Sequence, residues 1–381
     1  MGSRDAFAAA RHDDQPGLLP ADPVLLLASP RPLVWALPEA LREADGRPER
    51  RLLDRLIHHR VDGLAWRAIA SLPKEGIEPW LRATLRRRHE QRAAATLAQG
   101  LALCETLERL DRMGIPVAVM RGLRAIEWIY KDAGARPFED HDLLIRPQDD
   151  SGARSVLAAL GYVEAAPGLF RRATVSIDLH TDPIGGRRRP SRARLFPIDV
   201  PALFQDARPG WVAGGPALLL TPEDDVLLLA LHLVKHSFDR LIRTADLAHL
   251  VADRGTELCW EAVREKAERS RALRIVGLAL AASESLGVAV PSAVRLAEPE
   301  SWIEALLLRK AQELRPLPYG GELLMALGAR SLRDRLRFLI DALAPRGEAP
   351  AAGRRPADLP RRAVVLLNGA MRQMRERRRA R

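Results

Sequence analysis

Residues 115–146 read IPVAVMRGLRAIEWIYKDAGARPFEDHDLLIR, and the spacing of apolar residues changes twice within them. IPVAVM (115–120) is a short apolar run of strand type. A helix is predicted over about 123–131, a loop around Gly134 and Pro137, and a second strand over HDLLIR (141–146). Downstream the alternation continues with a helix over about 149–160 and a strand TVSIDLH (174–180). GLFRR (168–172) is its expected hairpin partner, turning at Arg171–Ala173. Strands alternating with helices predict one α/β unit.

Both flanks are helical by the same criterion. Leu52, Leu53, Leu56 and Ile57, then Leu97, Leu101, Cys104 and Leu107, recur at three- and four-residue intervals. A long helix is predicted over about 79–113, stopped by Gly114. Helices resume at PEDDVLLLALHLVKHSF, which opens on Pro222 and three acids. The expected organisation is a loose leader (1–22), a helical region (23–114), an α/β domain (115–215), a helical domain (216–343), a Pro/Ala/Gly-rich linker (344–360) and a basic helical tail (361–381). The fold class expected is α+β, a small mixed sheet with flanking helices.

At roughly 150 residues per domain, 381 residues make two or three compact units. An apolar content of 47% with 29% charged residues excludes wholesale disorder. No run of eighteen apolar residues and no secretory signal pattern is present, so a cytoplasmic protein is expected. Cys104 and Cys259 form no zinc or disulfide pattern. The net charge is +11, but ten arginines against Asp358 and Glu376 in 351–381 carry eight of those charges. The folded part is nearly neutral, and a nucleic-acid partner is not favoured. GxSxG, GxGxxG and GxxxxGK[ST] are all absent, which sets aside serine hydrolases, dinucleotide enzymes and P-loop NTPases.

FEDHDLLIR holds the chemistry. On a strand, Asp140 and Asp142 share one face and His141 takes the other, towards the sheet edge. Two such carboxylates repel unless a cation lies between them, and Mg²⁺ uses this donor set when waters and phosphates complete its shell. Asp178, in VSIDLH, stands between apolar neighbours and supplies a third acid. His180 shares its face and is expected to contact metal, phosphate or acceptor. Arg121 and Gly122 mark a strand-to-helix turn suited to phosphate, and Arg136 is expected on the same phosphates. His232 and His236, four apart on a helix, are open to three readings: a buried pair bonded to Asp246 or backbone, a substrate site with Lys235 and Arg243, or zinc.

Taken together, residues 119–162 (VMRGLRAIEWIYKDAGARPFEDHDLLIRPQDDSGARSVLAALGY), the later IDLH and residues 220–251 resemble a bacterial nucleotidyltransferase family of the polymerase-β-like superfamily. The resemblance covers about 115–255 and implies a nucleotidyltransferase-type sheet. It also implies metal-binding and catalytic carboxylates at Asp140, Asp142 and Asp178, a nucleotide-binding turn at Gly122, and Mg²⁺ (or Mn²⁺) as cofactor. An NTP such as ATP is the implied donor, with a small-molecule, peptide or protein acceptor. Two positions depart from that family: Arg121 replaces its usual Lys, and Leu123 its usual small residue. The alternative expectation is an inactive descendant that uses its basic tail to dock to a partner, an acidic membrane surface or RNA.

Overall fold

The structure, a computed structural model, describes residues 22–32, 48–70, 72, 77–186, 190–295, 299, 301–328 and 331–343. The leader through residue 21, the 344–360 linker and the basic tail lie outside the described residues. Helices α1 (Pro23–Ala28), α2 (Pro48–His58), α3 (Asp62–Ala70) and α4 (Pro79–Arg112) come first. The α/β segment follows as β1 (Ala118–Met120), α5 (Gly122–Ala125), β2 (His141–Leu144), α6 (Asp150–Ala159), β3 (Val163–Ala166), β4 (Leu169–Arg172) and β5 (Val175–His180). Helix α5 is a single turn that widens into a π-turn at Ile126–Tyr130. Next come α7 (Pro190–Leu195), α8 (Val200–Asp206), β6 (Arg208–Val212) and β7 (Gly215–Leu219). The described residues close with α9 (Pro222–Lys235), α10 (Leu241–Arg254), α11 (Trp260–Arg269), α12 (Leu273–Ser283), α13 (Trp302–Gln312), α14 (Gly320–Leu327) and α15 (Leu332–Leu343).

The seven strands of the described residues form one mixed sheet in the order β3-β4-β5-β2-β1-β7-β6. Strand β2 is therefore central, antiparallel to β1 and parallel to β5. One face, carrying Val117, Val119, Leu143, Ile145, Ile177 and Leu179, packs on α4 and α6 through Leu103, Leu107, Leu110 and Val156. The other face, with Ala118, Met120 and Leu144, meets Leu203, Leu220 and Leu228 of the α8–α9 side. A larger helical core joins Leu56, Leu64 and Leu85 of the leading helices to Leu231, Leu247, Leu278 and Met325 of the trailing ones. The two flanks thus bury their apolar faces against each other, the usual outcome for amphipathic helices.

The α+β class and the mixed sheet with flanking helices agree with the sequence reading. The β4–β5 hairpin forms, although its turn lies at Ala173, which takes a positive φ of 50°, because Arg171 and Arg172 remain in the ladder. The sequence reading missed β3, all four residues of which are exposed and carry no apolar alternation, and the β6–β7 hairpin, whose Gly and Pro content reads as loop. His141 is also corrected. It sits on the middle strand, 1% exposed against Phe138, not at a sheet edge.

Candidate metal and phosphate site

The β2–β5 register places Asp142 directly beside Asp178, and Leu144 beside His180. Because side chains alternate, Asp142, Asp178 and His180 all face α9, while His141 faces α4. His180 Nε2 lies 2.9 Å from Asp142 Oδ1 and 3.3 Å from Asp178 Oδ2, bridging the two carboxylates. Asp140 precedes the first residue of β2, in a bend, and is the more open acid. Gly122 takes φ +39°, and a Cβ there would lie 3.4 Å from the Asp140 carbonyl oxygen, so the glycine turn packs onto the acidic loop.

Arg121 occupies the centre. Its Nε donates to Asp142 Oδ2 at 3.0 Å and its Nη2 to Asp142 Oδ1 at 2.5 Å. This forked geometry gives a strong, directional pair. Burial alone would raise the Asp142 carboxyl, but the Arg121 guanidinium and the His180 hydrogen bond hold it well below the ordinary carboxylate range. At Asp140 the pull of Arg121 and His180 is outweighed. Burial and the like charges of Asp142 and Asp178 push it up to about 6. The His180 imidazole is raised against the effect of burial by its two carboxylate contacts.

Basic side chains of α9 lie on the side of the sheet that the acids face. Lys235, at the end of α9, is pushed down to about 7 by burial and by the charges of Arg121 and Arg192. The His232 and His236 rings lie tilted at 58° with centroids 4.5 Å apart, both lowered by burial and by surrounding cations that include Arg121. Arg243 pairs with Asp239 and donates to His232 Nε2 at 3.4 Å. Asp246 is not the partner of these histidines, because Tyr130 and Arg136 already bind it.

Arg192 is the residue the sequence reading missed. A Cβ on Gly185 would lie 3.6 Å from Arg192 Nη1 and 3.8 Å from Lys235 Nζ, so both cations flank the loop after β5. Arg192 is oriented by Glu322 of α14 at 3.0 Å and by the Ile184 carbonyl oxygen at 3.2 Å. Glu322 lies 130 residues away along the chain, and no local pattern marks the pairing.

Arg136, expected on phosphate, is turned elsewhere. Its Nε and Nη2 donate to both oxygens of Asp246 at 2.7–3.0 Å, and both residues are buried. The guanidinium therefore anchors the 131–140 loop to α10.

Among the described residues, one group of three could hold a metal ion: Asp142, Asp178 and His180, whose ligand atoms lie within 4.8 Å of one another. His180 thus takes the place in the group that the sequence reading gave to Asp140, because it lies within the β5 ladder while Asp140 lies outside β2. The donor set suits a divalent cation: two carboxylates and one imidazole, with a further acid, Asp140, alongside. Two surface clefts of about 490 Å³ lie elsewhere, one along α4 at Leu97 and Leu101, the other around Asp224 and Lys266. No helix is long and apolar enough to cross a membrane among the described residues.

Searches of curated proteins and of solved structures found no match. The sequence model of the family described as "Uncharacterised nucleotidyltransferase" matches residues 45–287. That match reaches beyond the 115–255 resemblance in both directions, taking in α2 to α4 and α11 to α12. With the acids of β2 and β5 in register and more than half of its length matched, the chain belongs to this nucleotidyltransferase family.

Proposed function

We propose that the protein transfers a nucleoside monophosphate from an NTP to a hydroxyl or phosphate acceptor, with release of pyrophosphate. The observation that carries this reading is the pairing of Asp142 with Asp178 on adjacent parallel strands, with Arg121 forked onto Asp142 and with Arg192 and Lys235 beside the loop that follows β5. Acids for cations and cations for phosphates thus meet at one end of the sheet.

Mg²⁺ or Mn²⁺, held by Asp142, Asp178 and His180 beside Asp140, would supply charge neutralisation at the reacting phosphorus. Lys235, Arg192 and Arg121 bind the β- and γ-phosphates, which orients the triphosphate for in-line attack. Asp178 accepts the proton of the acceptor hydroxyl as the new O–P bond forms and the bond from the α-phosphorus to the leaving oxygen breaks. His232, His236 and Arg243 line the acceptor side, where a small molecule, peptide or protein is to be bound. Asp140, half-buried and raised to about 6, orients the entering ligands at the open edge. Arg136 takes no part in phosphate binding and holds the loop that carries Asp140.

Calorimetry with Mg²⁺ and each NTP, together with pyrophosphate release in a panel of acceptors, tests the reading. Replacing Asp142 and Asp178 with Asn should abolish transfer. Unchanged nucleotide binding and transfer in that double variant would leave a nucleotidyltransferase-fold binding protein as the description.

A further inference from the structure

Asp142, the central acid, has both carboxylate oxygens engaged by groups of the protein itself. Arg121 Nε holds Oδ2, while Arg121 Nη2 and His180 Nε2 hold Oδ1. The side chains of Arg121, Asp142 and His180 are 4%, 13% and 8% exposed, so water screens this contact little. Arg121 is held there by an unfavourable backbone: φ 52°, ψ −146°, outside even the left-handed helical region that non-glycine residues tolerate. Its surroundings are also divided. Asp142, Asp140 and Asp178 attract it, whereas its charge opposes protonation of Lys235, His232 and His236. An anion placed between Arg121 and Lys235 would remove that opposition, and a divalent cation at Asp142 would replace the attraction.

We infer that Arg121 is an internal counter-ion, which occupies Asp142 in place of the metal until a polyphosphate draws the guanidinium away. The inference rests on the nucleotidyltransferase reading of the site and adds a regulation to it. Metal alone must displace a forked ion pair. Polyphosphate alone must draw Arg121 from its carboxylate and leave Asp142 with His180 but without its guanidinium, beside Asp178. Together, each supplies the partner that the other removes, so the two bind cooperatively, and by linkage each tightens the other by the same factor. Lysine at this position would pair with a single point charge and lack the fork.

The test uses the full chain and Mn²⁺ alone, with free Mn²⁺ followed by its electron paramagnetic resonance signal. Arg121→Gln should bind Mn²⁺ tighter than the wild type by about tenfold, within the usual range of such couplings, and Arg121→Lys should fall between. Adding Asp178→Asn to Arg121→Gln should abolish the gain, which places the ion at this site. Equal Mn²⁺ affinity in the wild type and Arg121→Gln, with binding still lost in Asp178→Asn, overturns the counter-ion and leaves the metal-site reading standing. Mn²⁺ binding that is insensitive to both Asp142→Asn and Asp178→Asn overturns the metal-site reading itself, and the counter-ion with it. A second measurement needs only the wild type and Arg121→Lys, which assigns the Arg121 Nε–H resonance by its loss. Mg²⁺ with inorganic triphosphate should shift that resonance where the same Mg²⁺ alone does not. A resonance unmoved by the pair, or moved as far by Mg²⁺ alone, refutes the inference.

Discussion

Among the buried arginine–aspartate pairs of the described residues, one stands at the sheet end and another inside the helical core. In the Arg136–Asp246 pair, both carboxylate oxygens accept from the guanidinium and Oδ1 also accepts the Tyr130 hydroxyl. Charge is matched one for one, and Arg136 is driven still further towards its charged form by Asp246 against the effect of burial. The Arg121–Asp142 pair has the same fork but an unbalanced setting, with two further acids, a bridging histidine and at least three basic side chains beside it. A matched pair staples. An unmatched one, in which every participant has a competitor, is prepared to exchange partners.

The largest effect expected is on stability, at the matched pair. Arg136→Ala leaves the Asp246 charge buried and should lower unfolding stability by about 3–5 kcal/mol in denaturant titrations. Mg²⁺ should not restore it, whereas Mg²⁺ should stabilise Arg121→Gln; equal rescue of both would erase the distinction between the pairs. Next, Asp178→Asn should cut nucleotide transfer by at least about a hundredfold in a pyrophosphate-release assay while the unfolding midpoint changes little. Asp246→Asn should show the reverse order of effects.

A pH dependence sharpens the contrast further. His249 lies against Tyr130, ring centroids 5.0 Å apart, and burial pushes its imidazole down to about 4. The unfolded chain binds its proton near pH 6.5 and the folded chain only near 4, so stability rises with pH through that window and is lost as pH falls. His249 should contribute about 3 kcal/mol of that acid sensitivity. Unfolding curves of His249→Gln between pH 7 and 4 should be flatter than those of the wild type. The smallest effect belongs to Lys235. Lys235→Ala should weaken binding of inorganic triphosphate about tenfold at pH 6, where the amine is charged, and less at pH 8, above its value of about 7. Calorimetry showing the same loss at both pH values would remove Lys235 from the anion site.

Much of the sheet end was legible from local pattern. Alternation put Asp142 and Asp178 on strands, and TVSIDLH carried His180 on the same face. The long α4 was bounded by Gly114 to within a residue of its observed end. The partners of the arginines were not legible, because Arg121 and Arg136 look alike in sequence and only a contact 110 residues away separates them. Arg192 was hidden for the same reason, since Glu322 gives it its direction from another helix. Asp140 and Asp142 read as equals in a DxD. One residue of strand beginning at His141 made them different, putting Asp142 into the ladder and Asp140 at its mouth.

Gly321 of α14 has a practical consequence. Its amide donates to Ser237 Oγ at 2.9 Å, and any Cβ would come within 1.6 Å of the Val234 carbonyl oxygen at the end of α9. The family match stops at residue 287. An expression fragment trimmed to that limit would strip the covering from Val234 and the guide from Arg192, so a minimal recombinant version has to run through α14.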